Sequence, residues 1–220
     1  MNIKNFSMRW ATRSVRPAAV AGLALVAIGA SACGSATQRE GQSASFPIIS
    51  ALEGANGARG TSPLFTTSAV PSDVITFIKS KNSWTVFADP GRVTMRLAMR
   101  DVTNPNDPTA NNEITFRRYR VVYRRSDGRN TPGVDVPYAF DGGITFTVVA
   151  GTEVSAPFEL VRVQAKNEAP LVQLISGGSP AVSISTLADV TFYGQDQTGR
   201  EVTVTGTISV DFANWGDPDQ

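Results

Sequence analysis

Arginine is concentrated in one short segment, residues 117–129, with the sequence RRYRVVYRRSDGR. Six of these 13 residues are arginine. If the segment is a β-strand, successive side chains point to opposite faces, so Arg118, Arg120 and Arg124 share one face with Val122. Guanidinium groups bind phosphate and carboxylate groups through paired hydrogen bonds. One hypothesis is therefore a site for an anionic ligand, such as a lipid headgroup or an acidic glycan.

The alternative hypothesis is that these arginines pair with acidic side chains on a neighbouring strand. We favour this alternative because the chain that follows residue 32 is acidic. It keeps 16 of the 20 basic residues and all 19 acidic ones, which gives a net charge of −3. The same charge argues against a nucleic acid as the partner, since nucleic-acid binding depends on neutralising phosphates with Lys and Arg.

A second polar segment, residues 101–113, has the sequence DVTNPNDPTANNE and is rich in side-chain oxygen atoms. Calcium binds six to eight oxygen ligands, so this segment is a candidate calcium loop. Its spacing differs from that of an EF-hand, and Asn, Asp and Pro are also the residues that any turn uses. We predict an ordinary loop and no bound cofactor.

The inventory for catalysis is small, because the chain contains no histidine and a single cysteine. These counts exclude His-based triads, zinc sites built from His or Cys, and an internal disulfide. Acid–base chemistry would need a pair of carboxylates, as in glycosidases, or a Ser–Lys dyad. The carboxylates considered are Asp135, Asp141, Glu159 and Asp189. The sequence has no GxSxG motif, no SxxK motif with its partners and no phosphate-binding glycine loop. We predict that the protein is not an enzyme.

The elements that would position these residues are β-strands. Residues 92–101 and 201–214 alternate between apolar and polar side chains, which is typical of strands with one buried face. Gly206 lies on the apolar face of the second segment, which predicts a bulge or close packing. Further predicted strands are 48–52, 116–125, 144–149, 156–164 and 188–194.

Turn sequences separate several of these strands, at residues 126–128, 141–143, 176–178 and 196–199. Residues 72–81 are compatible with one or two helical turns that begin at Ser72 or Asp73. Trp84 and Trp215 are expected to pack in the core or at its edge, since carbohydrate stacking would need one of them exposed. About seven strands without intervening helices predict an all-β, antiparallel β-sandwich.

The first 32 residues have the three parts of a secretory signal peptide. Four basic residues and no acidic one lie within residues 1–16, and an apolar run of 13 residues, 18–30, follows. This run is shorter than the roughly 20 residues that cross a bilayer. The small residues Ala30 and Ala32 then form a cleavage signal, so we expect residues 1–32 to be removed.

The residue after this cleavage signal is Cys33, the only cysteine of the chain. Residues 30–33, ASAC, resemble the lipobox of bacterial prolipoproteins, although that family prefers a large aliphatic residue at the position of Ala30. The resemblance implies that Cys33 becomes the first mature residue and receives a diacylglycerol group and an acyl chain. Ordinary cleavage that leaves a free thiol is the alternative. Two or more chains hold a protein stably in a membrane.

The resemblance also bears on location. In such lipoproteins an Asp after the cysteine favours retention in the inner membrane, and Gly34 instead implies the outer membrane. Residues 34–45 are small and polar, which predicts a flexible tether that spans about 20 Å on average.

The C-terminal segment 188–212 is similar to the last hairpin of bacterial immunoglobulin-like and fibronectin type III-like domains. We therefore predict a signal peptide (1–32), a lipidated cysteine with its tether (33–45) and one immunoglobulin-like sandwich (46–220). The expected function is non-catalytic binding or structural display at the bacterial envelope, toward an envelope protein or a glycan. The alternatives are a glycan-processing enzyme with a carboxylate pair and an anion-binding module that uses Arg118, Arg120 and Arg124.

Overall fold

The structure is a computed structural model that describes residues 43–59, 63–100, 110–175 and 182–217. The predicted signal peptide, Cys33, residues 34–42 of the predicted tether and residues 101–109 of the candidate calcium loop lie outside the described residues. The described residues from Ser43 onward belong to one compact unit. No helix within the described ranges is both long enough and apolar enough to span a bilayer.

The described residues form ten strands and one short α-helix. The strands are β1 (Ser45–Gly54), β2 (Val70–Asp73), β3 (Thr76–Ile78), β4 (Ser83–Thr85), β5 (Asp89–Met99), β6 (Ile114–Arg124), β7 (Phe140–Val148), β8 (Val154–Val161), β9 (Ser183–Asp196) and β10 (Glu201–Ala213). The helix α1 (Val163–Lys166) follows β8 and leads into a 3-10 turn at Leu171–Leu174. Other 3-10 turns lie at Gly57–Arg59, Lys79–Lys81 and Ala110–Asn112.

Two sheets form a sandwich-like arrangement. One contains three strands in the order β1-β5-β8, and the other contains five in the order β2-β10-β9-β6-β7. A separate hairpin joins β3 to β4. The all-β prediction is confirmed, and each of the seven predicted strands matches one observed strand. The expectation of purely antiparallel pairing was wrong, because the short strand β2 runs parallel to β10.

The core lies between the two sheets and follows the predicted alternation. Along β5, Val93, Met95 and Leu97 are buried between more exposed neighbours. Along β10, Val202, Ile208 and further apolar residues of the same parity are buried, while the intervening threonines face outward. Burial of such apolar faces is the main favourable contribution to folding.

Two glycines lie inside strands because another side chain occupies the space of a Cβ atom. A Cβ on Gly206 would lie 3.0 Å from Ile49 Cδ1 and from Leu52 Cδ2, and the pairing of β10 with β9 is unbroken there. Close packing, and not a bulge, therefore explains Gly206. Residues 141–143 form part of β7 where we predicted a turn. The Tyr119 ring of β6 packs over Gly142, and a Cβ atom placed on Gly142 would lie only 2.2 Å from Tyr119 Cζ.

The helical expectation for residues 72–81 was wrong except for the 3-10 turn at its end. Strands β2 and β3 occupy most of the segment. The physical reason is that the expected capping groups have other partners. Ser72 donates its hydroxyl hydrogen to Asp89, and the Asp73 carboxylate accepts hydrogen bonds from Thr76 Oγ1 and from the Trp215 backbone N–H.

The sandwich has two distinct ends. The Ser45 end holds the start of β1 together with the β7–β8 and β9–β10 connections. Ser45 pairs with Met99, and the residues that begin these two connections follow strand ends that pair with Ile114. The opposite end is here called the Trp215 end. It holds the β1–β2 and β6–β7 connections, the β3–β4 hairpin, α1 with the described residues between α1 and β9, and the residues after β10. The last residue of the predicted tether, Ser45, is thus already the first residue of a strand.

Candidate functional surfaces

The three arginines predicted to bind an anion lie on the outer face of the five-stranded sheet and are paired with aspartates. Arg118 Nη1 is 3.1 Å and Arg120 Nη1 is 2.6 Å from the Asp141 carboxylate on β7. Arg124 Nε is 2.6 Å from the Asp189 carboxylate on β9. The structure therefore supports the alternative hypothesis, in which neighbouring strands supply the counter-charges.

Strand register explains this pairing. Arg120 lies directly opposite Asp141, and Asp189 lies opposite Val122, two residues before Arg124. Partial burial opposes ionisation of Asp189, but hydrogen bonds from Arg124 and Thr207 outweigh it and keep the Asp189 pKa below its ordinary value. Two aspartates thus pair with the three predicted arginines, so this face is a partly neutralised network and not an open cationic ladder.

Arg117 is the arginine of this strand that sequence reasoning missed. The pairing of β6 with both neighbours shifts register between Phe116 and Arg118, so Arg117 is the extra residue of a bulge and is exposed. It makes no ion pair with any residue that the structure describes. A bulge redirects a side chain in this way. The sequence signal for this bulge was the pair of consecutive arginines, Arg117 and Arg118, within an otherwise alternating pattern.

A cavity of about 290 Å³ lies beside this bulge. Arg117, Arg118 and Tyr193 line it, and the Arg118 guanidinium carbon lies 4.0 Å from the centre of the Tyr193 ring. Gln195 and Glu201 complete its polar wall. Arg118 is thus held by the Tyr193 ring and by Asp141, which leaves Arg117 as the lining cation without an ion pair among the described residues.

The turn that follows β6 holds a second arginine–aspartate cluster. Asp127 accepts hydrogen bonds from Arg125 Nη2 at 2.6 Å and from Arg129 Nη2 at 3.0 Å. These contacts, led by the one with Arg125, hold the pKa of the Asp127 carboxyl well below its ordinary value. Gly128 has φ +83°, a left-handed conformation that favours glycine. The predicted turn at 126–128 is confirmed.

A third polar cluster is completely buried beneath the Trp215 end. Lys166 and Asp89 both have no exposed surface, and Lys166 Nζ lies 2.9 Å from each carboxylate oxygen of Asp89. Asp89 also accepts hydrogen bonds from Ser72 Oγ at 2.5 Å and from the Gly57 N–H at 2.9 Å. Lys166 Nζ donates a further bond to the Asp73 carbonyl at 2.8 Å.

This cluster combines a serine and a lysine, the pair considered above for catalysis, but closes them off from substrates. Ser72 and Lys166 have no exposed surface, and the structure joins each of them to Asp89. Burial raises the pKa of the Asp89 carboxyl, and the nearby Lys166 ammonium opposes this rise only in part. Sequence reasoning missed Lys166 because lysine is almost never fully buried unless it is paired.

The candidate carboxylate pairs are distributed over separate places. Asp141 and Asp189 lie on β7 and β9, with β6 between them, so two strand spacings of about 4.8 Å and the arginines separate them. Asp135 accepts the Thr131 N–H within the β6–β7 connection. Glu159 lines a cavity of about 400 Å³ next to Asp89, but the Asp89 side chain is buried and bonded elsewhere.

The described part of the candidate calcium loop is the 3-10 turn Ala110–Asn112 and Glu113. The Asn112 carbonyl accepts a hydrogen bond from Ser45 Oγ at 2.6 Å, which fastens the turn to β1. Within the ranges that the structure describes, no group of three or more His, Cys, Asp or Glu side chains is placed to hold a metal ion.

Exposed apolar side chains are concentrated at the Trp215 end. Nine large apolar residues are exposed within the described ranges, and eight of them lie in the connections and hairpin of this end. These eight are Leu64, Trp84, Val134, Tyr138, Val163, Val172, Val182 and Trp215. The ninth, Val122, lies on β6 among the arginines. The described connections of the Ser45 end contribute none.

The tryptophans illustrate this asymmetry. Trp84 on β4 is 58% exposed, although its ring packs against Phe77 with 5.1 Å between ring centres. Trp215 is 38% exposed, and its indole N–H donates to the Asp211 carbonyl at 3.2 Å. The expectation of packing in the core or at its edge was therefore wrong for Trp84, because a two-stranded hairpin has no second layer to cover its outer face.

Comparison of the chain with protein-family models, curated proteins and solved structures finds no match.

Proposed function

We propose that the chain is an exported bacterial lipoprotein, anchored through Cys33, whose β-sandwich is a non-catalytic domain for binding or structural display. The lipobox-like residues 30–33 support the anchor, and Gly34 supports the outer membrane. No cofactor enters this proposal. The partner is an envelope protein or a glycan.

The position of the first strand sets which end of the sandwich follows the tether. Nine residues lie between Cys33 and Ser43, and a flexible segment of this length spans about 17 Å on average. The Ser45 end is therefore the end that follows the tether along the chain, and the Trp215 end is the opposite end of the domain. Each strand rises about 3.3 Å per residue, so the 13 residues of β10 place the Trp215 end about 40 Å from the Ser45 end.

The single observation that carries the binding role is the concentration of exposed apolar residues at the Trp215 end. Isolated apolar residues are normal on a protein surface, whereas their grouping on one region marks an interaction site. Trp and Tyr are also enriched at interfaces. The end of the sandwich opposite the tether is thus the end that presents Trp84, Tyr138 and Trp215.

We also propose that the sandwich is immunoglobulin-like. If β1, β5, β6, β7, β8, β9 and β10 are named A, B, C, C′, E, F and G, the sheets have the orders A-B-E and β2-G-F-C-C′, with the short strand β2 added at the edge beside G. These are the sheet memberships of the immunoglobulin architecture without its strand D. Variable-type domains likewise add C′ to the sheet that holds G, F and C.

The anchor is tested by the mass of the N-terminal peptide of the protein purified from bacterial membranes. We expect a peptide that begins at Cys33 and carries a diacylglycerol group and an acyl chain. A Cys33→Ser variant should lose the modification and leave the membrane fraction. An unmodified Cys33 in the soluble fraction would contradict the anchor.

The binding role is tested by a photo-crosslinking amino acid placed at single positions in living cells. We expect discrete adducts from Val134 at the Trp215 end and none from the control position Gln197, which is also exposed and lies in the β9–β10 turn. Adducts from both positions, or from Gln197 alone, would contradict a binding role for the Trp215 end.

The cavity beside Arg117 favours a second candidate function, the binding of an acidic glycan. Its test is retention on an acidic polysaccharide resin at low salt. The Arg117→Ala variant should elute earlier than the native protein. Arg129→Ala removes an equal charge from an exposed position at the Trp215 end and should leave retention unchanged. Equal effects of both variants would show that only net charge matters.

A further inference from the structure

The buried amine of Lys166 and the buried carboxyl of Asp89 are in direct contact. Nζ is 2.9 Å from Oδ1 and 2.9 Å from Oδ2, so it lies equally close to both oxygens of the Asp89 carboxyl group. Both side chains have no exposed surface. Asp89 is the first residue of β5 and Lys166 the last residue of α1, so the contact joins parts of the chain that are 77 residues apart.

Surrounding groups hold the two reactive groups in place. The Asp73 carbonyl accepts a hydrogen bond from Nζ at 2.8 Å and orients the amine. The Gly57 N–H donates to Oδ1 at 2.9 Å, and the Ser72 hydroxyl donates to Oδ2 at 2.5 Å. Each carboxyl oxygen therefore has a fixed donor besides the lysine, which is the arrangement that stabilises a tetrahedral intermediate at a carbonyl carbon.

We propose that Lys166 and Asp89 condense into an amide, with a new bond between Nζ and Cγ and the release of one water molecule. The ammonium first transfers a proton to Oδ2 of the carboxylate, which replaces two buried charges with a neutral amine and a neutral acid. The Nζ lone pair then attacks Cγ. Oδ2 takes a second proton from Nζ and leaves as water, and Nζ keeps its third proton as the amide hydrogen.

The site favours each of these steps. Burial disfavours the charged form of the Asp89 carboxyl and raises its pKa, which favours the neutral acid that the attack requires. The Gly57 N–H stabilises the negative charge that develops on Oδ1, and the Ser72 hydroxyl supports the departing Oδ2. Well-oriented groups inside one molecule reach effective concentrations on the order of 10⁵ M or more, and the closed site excludes the water needed for hydrolysis.

The product would be a covalent cross-link within a domain that has no disulfide. The mature chain contains only Cys33, so it has no internal disulfide. The amide would instead tie the start of β5 to α1 and hold the Trp215 end together. A cross-link over a loop of this length restricts the unfolded chain, as a disulfide does.

The test is a tryptic digest of the mature protein, denatured after purification. The amide predicts one branched peptide in which residues 82–92 are joined to residues 163–200, with a mass one water below the sum of the two. Residues 163–200 stay continuous because trypsin does not cleave after an acylated lysine. Separate peptides 82–92, 163–166 and 167–200 as the sole products would overturn the proposal and leave an ion pair only.

Two variants complete the test. Lys166→Arg keeps the charge but should give no branched peptide. Ser72→Ala keeps both reactive groups, and we expect the branched fraction to accumulate more slowly after synthesis. An unchanged rate would remove Ser72 from the mechanism. Because the N-terminal peptide that carries Cys33 is separate in the digest, this result does not depend on whether the lipid anchor is found.

Discussion

The protein contains ion pairs in two contrasting places, the buried Lys166–Asp89 cluster and the exposed arginine face of the five-stranded sheet. On the arginine face, the side chains of Arg118, Arg120 and Asp141 remain about half accessible to water. In the buried cluster, both partners are dry and every carboxyl oxygen is hydrogen-bonded. Contacts between a basic side chain and an aspartate thus occur both in contact with water and completely shielded from it.

The contrast shows what each kind of pair contributes. An exposed pair gains little, because water screens the attraction and ordering of long side chains opposes it. A buried pair has already lost its hydration, so removal of one partner leaves an uncompensated charge in the core. The pKa shifts follow the same rule. Burial raises the pKa of the Asp89 carboxyl, whereas the hydrogen bond from Arg125 lowers the pKa of the Asp127 carboxyl.

The largest effect is expected from Asp89→Ala. This variant leaves the Lys166 amine buried without its partner and should lower the free energy of unfolding by about 3–5 kcal/mol relative to the ion-paired form, and by more relative to the amide-linked form proposed above. Urea unfolding followed by circular dichroism measures it. The double variant Asp89→Ala with Lys166→Met removes the charge as well and should be more stable than the single variant. Equal stability of the two would contradict the importance of the unpaired amine.

An intermediate effect is expected from Tyr123→Phe. The Tyr123 hydroxyl donates to the Leu160 carbonyl at 2.6 Å, a neutral bond that joins the two sheets inside the core. Its loss should lower the free energy of unfolding by about 1–2 kcal/mol in the same urea experiment, because a buried carbonyl loses a partner. A cost above that of Asp89→Ala would reverse the ranking proposed here.

A smaller and pH-dependent effect is expected from Asp127→Asn. The folded-state pKa of Asp127 lies below its ordinary value of 3.8, so its contribution to stability is present above that pH and is lost as the pH falls. Thermal unfolding at neutral pH should show the variant slightly less stable than the native protein. At about pH 3 the difference should shrink. A difference that grows in acid would contradict the ion pair.

The smallest effect is expected from Arg120→Ala on the arginine face. Loss of an exposed pair should change the melting temperature by less than about 3 °C, and addition of salt should abolish the difference. Arg118 remains available to Asp141 in this variant, which limits the cost further. A large loss that persists in high salt would show that the outer face is structurally essential.

Much of the fold could be predicted because its strands are long and alternate. Strand β10 has one apolar face along its length, and the structure confirms both its limits and its buried side to within a residue. Strand β2 could not be predicted, because four residues that include Pro71 have no periodicity. Residues 141–143 were assigned to a turn because a glycine pair suggests one, whereas the Tyr119 ring supplies the packing that keeps them in β7.

The sequence alone determined the β class, the alternating faces of the long strands and the lipobox-like start, because these depend on residue type and spacing along the chain. Only the tertiary structure decided which charges meet. Arg124 pairs with Asp189 across 65 residues, and Lys166 with Asp89 across 77. These pairings depend on strand order and register, which are set when the whole core packs. No pattern of neighbouring residues in the sequence predicts them.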